Sequence, residues 1–269
     1  GIFSQMFNYM KETLQPLTTC ERDGLLSHFA VHFSPIYYLL LPFFFIFPSP
    51  VTLLMGQAAI IASGLIPLYL ICKRHKLSNA AVILFSLCYV LLPSMANGCF
   101  FFLHENKFLT PLILWLAFAL EKNKWIPSVI FTLLLLAVKE DAPVYAAVLG
   151  LYFIVSRRNI SKGALVFVLS IIYFITVSYF MSKYGLGTMS YRYDNFIYDG
   201  SGSLFTVIKA VILNPIYTVH EAFDEEKIKF ILQMLVPLAF MPLMIKKPSR
   251  IILLIPFILL NLMSDYTYQ

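Results

Sequence analysis

Charged residues are scarce in this chain. Only 13% of its 269 residues are Asp, Glu, Lys or Arg, whereas 59% are hydrophobic and the mean hydropathy is +0.79. A typical soluble domain is about a quarter charged and less than half apolar. A water-soluble protein of this composition would leave large apolar patches exposed. The composition therefore excludes that class and predicts a membrane protein.

The familiar catalytic and nucleotide-binding motifs are also missing. The sequence contains no Walker loop, no GxGxxG, no GxSxG, no HExxH and no heptad repeat. Its cysteines form no CxxC pair, which excludes a zinc ribbon. The formal net charge is +6, but the basic residues stand in short clusters between apolar runs. That arrangement is typical of cytoplasmic loops and argues against a nucleic-acid partner.

Eight apolar runs predict a polytopic, all-α transmembrane bundle. Few of them approach the ~20 residues that a straight span requires, so the shorter runs are expected to extend into flanking residues or to lie deep in the bundle. Ser34–Phe47 is bounded by prolines and is too short for a span, which predicts an interfacial helix. The eight predicted spans are Val51–Cys72, Asn79–Met95, Phe108–Leu120, Trp125–Val138, Ala142–Ser156, Gly163–Ser182, Phe230–Ile245 and Arg250–Met263.

The charge of the loops predicts the topology. Eleven Lys and Arg residues and only one acid, Glu121, fall in four alternate loops, which are cytoplasmic by the positive-inside rule. The chain is thus predicted to be one multi-pass domain of the cell membrane, cut from a longer protein, with its functional face outside. Its predicted parts are an outer loop with the interfacial helix (1–50), a six-span core (51–182), a large outer loop (183–229) and two final spans (230–269).

The ionisable residues that can support chemistry gather on the predicted outer face. Lys139-Glu140-Asp141 ends an apolar run, where a charge costs roughly 3 kcal/mol at mid-membrane. A helix end in the lipid headgroups and a functional site fit that position equally well. His104-Glu105 lies in another outer loop. His28 and His32 would share one face of a helix over Leu25–Phe33, a spacing that can bind a metal, although two interfacial histidines are the plainer interpretation.

Part of the chain resembles membrane glycosyltransferases of the GT-C class. The resemblance is carried by the run from His32 to Leu40, by Phe47-Pro48-Ser49-Pro50 and by Lys73-Arg74-His75. In that class an interfacial helix follows a long first outer loop, and a span then returns to the cytoplasm. The resemblance therefore implies a GT-C-like helix bundle with the same order of elements.

A closer resemblance, over nearly the whole chain, is to the membrane family called domain of unknown function 2079. Two departures bear on chemistry: Ser4 and Phe102 stand where the family has Asp. An Asp-Leu pair of the family would precede Gly1, where GT-C enzymes have their catalytic acid. The residues that carry the resemblance are Gly1-Ile2-Phe3, Gln5, His32-Phe33-Ser34-Pro35, Pro48-Ser49-Pro50, Thr52-Leu53-Leu54, Gln57, His104-Glu105, Lys139-Glu140-Asp141 and Ser264.

Together the resemblances imply a glycosyltransferase that uses a polyprenyl-phosphate-linked sugar from the membrane. A divalent cation such as Mg or Mn is the candidate cofactor, and no metal ligands are assigned. A transporter or flippase and a non-catalytic scaffold for envelope assembly remain alternatives, although one-sided ionisable residues and the lack of a repeat favour the enzyme. The predicted catalytic residues are Glu140, Asp141, Glu105 and His104, and the predicted substrate-binding residues are Lys139, Arg192 and His32.

Overall fold

The computed structural model describes residues 1–22, 24–91, 103–187, 190–196 and 204–265. The chain forms two compact units, Gly1–Gly187 and Thr188–Gln269. Position 102 and the end of the predicted span Asn79–Met95 lie outside the described residues. Among the described residues of the first unit, the α-helices are α1 (Ile2–Thr13), α2 (Leu41–Ile46), α3 (Pro50–Ser63), α4 (Leu65–Arg74), α5 (Asn79–Leu91), α6 (Leu109–Glu121), α7 (Trp125–Leu136), α8 (Ala142–Val155) and α9 (Ile160–Tyr184).

The N-terminal segment folds against itself before the apolar helices begin. Two short antiparallel strands, β1 (Leu17–Thr18) and β2 (Leu26–Ser27), pair Leu17 with Ser27. The Gln5 side chain of α1 accepts the Thr18 hydroxyl proton at 2.8 Å and so ties the helix to the strand. The segment predicted as an interfacial helix is a 3₁₀ turn, Pro35–Leu39, followed by α2. Its exposed Phe and Ile side chains suit contact with lipid.

The second unit is more irregular. A small core of Phe196, Val207, Ala210 and Met263 is buried within it. Its α-helices are α10 (Leu204–Leu213), α11 (Pro215–Ala222), α12 (Glu225–Leu235) and α13 (Ile255–Phe257). The structure also describes helical turns at Ser190–Phe196, Val236–Leu238, Met241–Leu243, Pro248–Leu254 and Ile258–Leu262.

The predicted all-α class is confirmed, since helices dominate the described residues and only one two-stranded sheet appears among them. Two stretches of 25 residues each, Pro50–Arg74 and Ile160–Tyr184, are long and apolar enough to cross a membrane. Other apolar helices have 10–17 residues, so the count of eight spans stays a prediction. The run 230–245 is not one helix as predicted: α12 ends at Leu235, and Ala239 and Phe240 adopt positive φ angles of 47° and 56°.

Helices α8 and α9 pack closely because two glycines face each other. A Cβ atom built on Gly150 would lie 2.7 Å from the carbonyl oxygen of Gly163 and 2.9 Å from the backbone nitrogen of Phe167. A Cβ on Gly163 would lie 2.7 Å from the carbonyl oxygen of Gly150. Backbone atoms cannot move aside as a side chain can, so both positions exclude a larger residue at this helix spacing.

Gly150→Ala is therefore expected to destabilise the protein by about 1–3 kcal/mol, although Ala is ordinarily the better helix former. Gly56→Ala in α3 is the matched control, because its Cβ would meet only the flexible tip of the Leu40 side chain, at 2.7 Å. The melting temperatures of the Gly150→Ala and Gly56→Ala variants are measured by thermal unfolding in mild detergent. Equal melting temperatures for the two variants would contradict the close backbone contact.

Candidate functional site

The predicted site residues of the first unit come together where three segments meet. The turn between α7 and α8 contributes Lys139 and Glu140, and the 3₁₀ turn Glu105–Phe108 before α6 contributes Glu105. The N-terminal segment contributes His32. The backbone N–H of Ile36 donates to the carbonyl of Ala137 at 2.8 Å and anchors that segment against the end of α7. Helix α7 ends here because charged residues interrupt the apolar run, and a new helix begins because Pro143 favours the first turn of α8.

His32 and Glu140 form a carboxylate–imidazole pair across 108 positions of sequence. The Nδ1 of His32 lies 3.0 Å from Oε1 of Glu140, and the backbone N–H of Phe33 donates to Oε2 at 3.1 Å. Burial tends to raise the pKa of Glu140, but the hydrogen bond and charge of His32, with the charge of Lys139, lower it overall. The carboxylate therefore stays ionised and accepts a hydrogen bond from Nδ1 of His32. In the tautomer with its proton on Nδ1, Nε2 is the ring nitrogen that can accept a proton.

Glu105 and Lys139 form a second, more deeply buried pair. The Nζ of Lys139 lies 3.4 Å from Oε1 of Glu105, and the Tyr37 hydroxyl donates to Oε2 at 2.6 Å. Glu105 is 1% exposed and Lys139 is 5% exposed. Burial by itself would raise the pKa of Glu105, but Lys139, His104 and the Tyr37 hydrogen bond lower it to about 2. Burial and the charge of Glu105 raise the pKa of Tyr37, so its hydroxyl stays a donor.

His104 lies at the edge of this network and is its more accessible member. Its backbone N–H donates to the Gln57 side chain at 2.8 Å, and its Nδ1 accepts the N–H of Asn106 at 3.3 Å. Nδ1 also lies 3.4 Å from Glu105, which would be an ion pair only with a protonated ring. Burial lowers the pKa of His104, and Nδ1 already accepts a hydrogen bond. The ring is therefore neutral at pH 7, with its proton on Nε2.

A further histidine, His28, repeats the arrangement of His32. Its Nδ1 lies 2.8 Å from Oε2 of Glu21, and its ring centroid is 5.9 Å from that of His32. The two rings are neighbours, although the segment is strand β2 and a 3₁₀ turn and not the helix over Leu25–Phe33 on which the metal-binding spacing depends. Within the described ranges, no group of three or more His, Cys, Asp or Glu side chains is arranged to hold a metal ion.

The structure thus gathers five of the seven predicted residues: His32, His104, Glu105, Lys139 and Glu140. Asp141 follows them directly at the start of α8, where it is partly buried. Arg192 belongs to the second unit, where its carbonyl accepts the N–H of Asp265 at 2.7 Å. Sequence reasoning missed Tyr37 and did not predict the direct contact between Glu21 and His28. Tyr37 stands in the run that resembles GT-C enzymes, but nothing marks one tyrosine of that run as a carboxylate ligand.

Long apolar helices and a buried ionisable network define a membrane protein with a polar site at the helix ends. Comparison with protein families supports that class, because a family model described as "Predicted membrane protein (DUF2079)" matches residues 1–269. The chain belongs to this family, as its sequence resemblance predicts. No curated protein and no solved structure matches it. The resemblance to GT-C enzymes therefore stays a prediction.

Proposed function

We propose that this protein is a membrane glycosyltransferase of the GT-C type that transfers a sugar from a polyprenyl-phosphate carrier to an acceptor hydroxyl at the outer face of the cell membrane. The observation that supports this function best is the His32–Glu140 pair. A histidine whose Nδ1 is held by an ionised carboxylate is a general base of the kind that activates hydroxyl groups. The His32 side chain is 18% exposed, so it is not sealed inside the helix bundle.

The proposed reaction is a displacement at the anomeric carbon of the sugar. Nε2 of His32 accepts the acceptor's hydroxyl proton while the acceptor oxygen bonds to the anomeric carbon. The bond from that carbon to the phosphate oxygen of the carrier breaks, and the polyprenyl phosphate leaves with its negative charge. Lys139, held in place by Glu105, stabilises that charge. In this proposal His32 is the catalytic base, and Glu140, predicted as catalytic from the sequence, is a positioning residue.

The carboxylates of the network fit a divalent cation poorly. Both oxygens of Glu140 are hydrogen-bonded, one to His32 and one to the Phe33 N–H, and those of Glu105 face Tyr37 and Lys139. Mg²⁺ and Mn²⁺ prefer carboxylate and water oxygens and compete badly with these donors. The proposed chemistry is therefore assigned to Lys139 and His32, and no step is derived through Mg or Mn.

The exposed apolar side of the N-terminal segment supports a lipid-linked donor. On and just after α2, Phe43, Ile46 and Phe47 are 60%, 68% and 68% exposed. The same segment carries His32 and Tyr37 only a few residues earlier. A carrier whose isoprenoid chain lies in the bilayer could thus present its phosphate near the network without leaving the membrane.

The test is mass spectrometry of lipids that co-purify with the full-length protein in mild detergent, followed by incubation with a radiolabelled polyprenyl-phosphate hexose and hydroxyl acceptors. We expect a bound polyprenyl phosphate or its sugar adduct, and transfer of label to an acceptor. Recovery of ordinary phospholipid alone, with no consumption of any labelled donor, would contradict the proposal.

A transporter is the second candidate, and the buried ion pairs are the observation that favours it. Membrane transporters carry paired ionisable groups along substrate or proton pathways, and Glu105 with Lys139 has that character. Proteoliposomes separate the two functions. A transporter would move its substrate across the bilayer chemically unchanged, whereas the proposed enzyme would cleave the bond between sugar and phosphate.

A further inference from the structure

The first unit has a basic end, formed by three short turns between helices. These turns join α4 to α5, α6 to α7 and α8 to α9, and each contains one residue with positive φ, namely Lys76, Asn123 or Arg157. The ionisable network of the candidate site lies at the other ends of α6 and α7, since Glu105 precedes α6 and Lys139 follows α7. The basic residues of this end are Lys73, Arg74, His75, Lys76, Lys122, Lys124, Arg157, Arg158 and Lys162.

One carboxylate draws the three turns together. Oε1 of Glu121 lies 3.0 Å from Nε2 of His75 and 3.4 Å from an NH1 of Arg158, and Oε2 lies 3.6 Å from Nε of Arg74. Glu121 is the single acid in these turns, against eight Lys and Arg residues. The end is therefore held in one arrangement while it keeps a large excess of positive charge.

The turns are further fixed by hydrogen bonds and by a cation over an indole ring. Nζ of Lys162 donates to Oδ1 of Asn123 at 2.6 Å and lies 4.1 Å from the centroid of the Trp125 ring. The side chain of Asn159 donates to the carbonyl of Leu120 at 3.0 Å and to Asn123 at 3.1 Å. Lys162 is buried by these contacts, and the other seven Lys and Arg side chains are exposed.

Exposed apolar side chains lie directly beside these cations. Trp125 is 50% exposed and Ile126 is 74% exposed, next to Lys124, while Val155 and Ile160 are 49% and 55% exposed on either side of the Arg157 turn. A soluble anion would use only the cations. A ligand with an anionic head and apolar chains would use both kinds of surface, as basic residues beside aromatic ones do at membrane interfaces.

We infer that this basic end binds the headgroups of anionic phospholipids, with the lipid phosphate at Lys122, Lys124 and Arg157. Those three side chains are exposed, and the Glu121 ion pairs do not involve them. The acyl chains lie along Trp125 and Ile126. The inference does not depend on the proposed enzyme activity, because these residues are at the opposite ends of the helices from the candidate site.

The experiment is native mass spectrometry of the full-length protein, titrated with phosphatidylglycerol or phosphatidylcholine. We expect phosphatidylglycerol to bind preferentially, and the triple variant Lys122→Gln/Lys124→Gln/Arg157→Gln to weaken it on the order of 100-fold, at roughly a factor of five per cation. The matched control is Lys183→Gln/Lys209→Gln/Lys229→Gln, which removes the same charge from three exposed lysines that belong to no basic cluster and should leave binding unchanged. The variant Lys122→Arg/Lys124→Arg should also bind normally.

Three outcomes would overturn the inference. The first is equal affinity for phosphatidylglycerol and phosphatidylcholine. The second is an equal loss of phosphatidylglycerol affinity in the test and control triple variants. The third is displacement of phosphatidylglycerol by an equal concentration of glycerol 1-phosphate, which would show a site for a free phosphate. Unfolding of the triple variant is checked by its melting temperature. If the triple variant does not fold, the single variant Lys124→Gln is tested in its place and must weaken phosphatidylglycerol binding. An unchanged affinity of that single variant would again overturn the inference.

Discussion

His32→Asn is expected to reduce sugar transfer by about 10²–10⁴-fold, the usual contribution of a general base. The asparagine amide can still donate to Glu140, where Nδ1 of His32 lies 3.0 Å from Oε1, so the carboxylate keeps its partner and the fold is expected to survive. What the variant lacks is Nε2, the atom proposed to accept the acceptor's proton. The measurement is the initial rate of transfer, with the melting temperature as a check on folding.

Two further variants distinguish a base from a structural residue. Glu140→Gln should lower kcat more than it changes KM and should alter the pH profile, because in the proposed reaction Glu140 positions the His32 ring and does not contact the substrate. His75→Asn is the matched control, since His75 also lies 3.0 Å from a carboxylate, but at the basic end of the first unit. A His32→Asn enzyme with the wild-type rate would remove His32 from the mechanism, and an equal loss in His75→Asn would point to a general effect on folding.

Lys139→Met is expected to destabilise the protein by about 3–5 kcal/mol, because it leaves the buried Glu105 carboxylate without its cation. The double variant Lys139→Met/Glu105→Gln should recover most of that loss, since replacing both members of a buried ion pair is often nearly neutral. Denaturant unfolding of the two variants measures the coupling. Additive losses in the double variant would contradict a direct interaction between the two residues.

The exposed pair formed by Lys229 and Glu225 is the control for this experiment. Their charged atoms are 2.6 Å apart, closer than those of Lys139 and Glu105, but the side chains are 65% and 84% exposed. Exposed ion pairs contribute about 0–1 kcal/mol, so Lys229→Met should change the free energy of unfolding little. The comparison tests whether burial, rather than distance, decides the effect.

The pH dependence of the Glu105 contribution has a definite sign. Its pKa is about 2 in the folded protein, below the ordinary value of 4.5. A carboxylate with a depressed pKa stabilises the folded state fully above its unfolded pKa, and loses that contribution as the pH falls through the folded value. The stability difference between wild type and Glu105→Gln should thus be largest at neutral pH and shrink between about pH 4.5 and 2. A difference that stays constant over that range would contradict the assignment.

The sequence predicts the apolar helices of the first unit well, because apolar runs between charged turns have few ways to fold in a membrane. It does not predict α1, because that helix lies in a polar-aromatic stretch without a long apolar run. The run Ala142–Ser156 becomes α8, which ends one residue earlier, at Val155. Hydropathy predicts one continuous span over 230–245, and this prediction is wrong because a run of apolar residues does not by itself require a continuous helix. Pro237 and Pro242 mark the break, since proline cannot continue an α-helix.

The sequence does not predict which side chains of the candidate site contact each other. The cost of burying charge singles out Lys139-Glu140-Asp141, and the His104-Glu105 pair of an outer loop adds Glu105. The structure brings Lys139, Glu140 and Glu105 together. Which cation faces which carboxylate depends on packing between distant segments, so a role for Lys139 as a phosphate ligand was predicted without its contact to Glu105. The sequence predicts His32 as a substrate-binding residue, and no local pattern connects it to Glu140, 108 residues away.

Both tryptophans of the chain, Trp115 and Trp125, lie on neighbouring helices of the first unit. Trp115 stacks on Phe131 with ring centroids 5.2 Å apart, and Trp125 lies under the Lys162 ammonium. Each indole therefore sits in a contact that is lost when that unit unfolds. Intrinsic tryptophan fluorescence therefore reports on residues 1–187 alone. A melting curve measured by this fluorescence describes the unfolding of that unit, whereas the other 82 residues contribute no tryptophan signal.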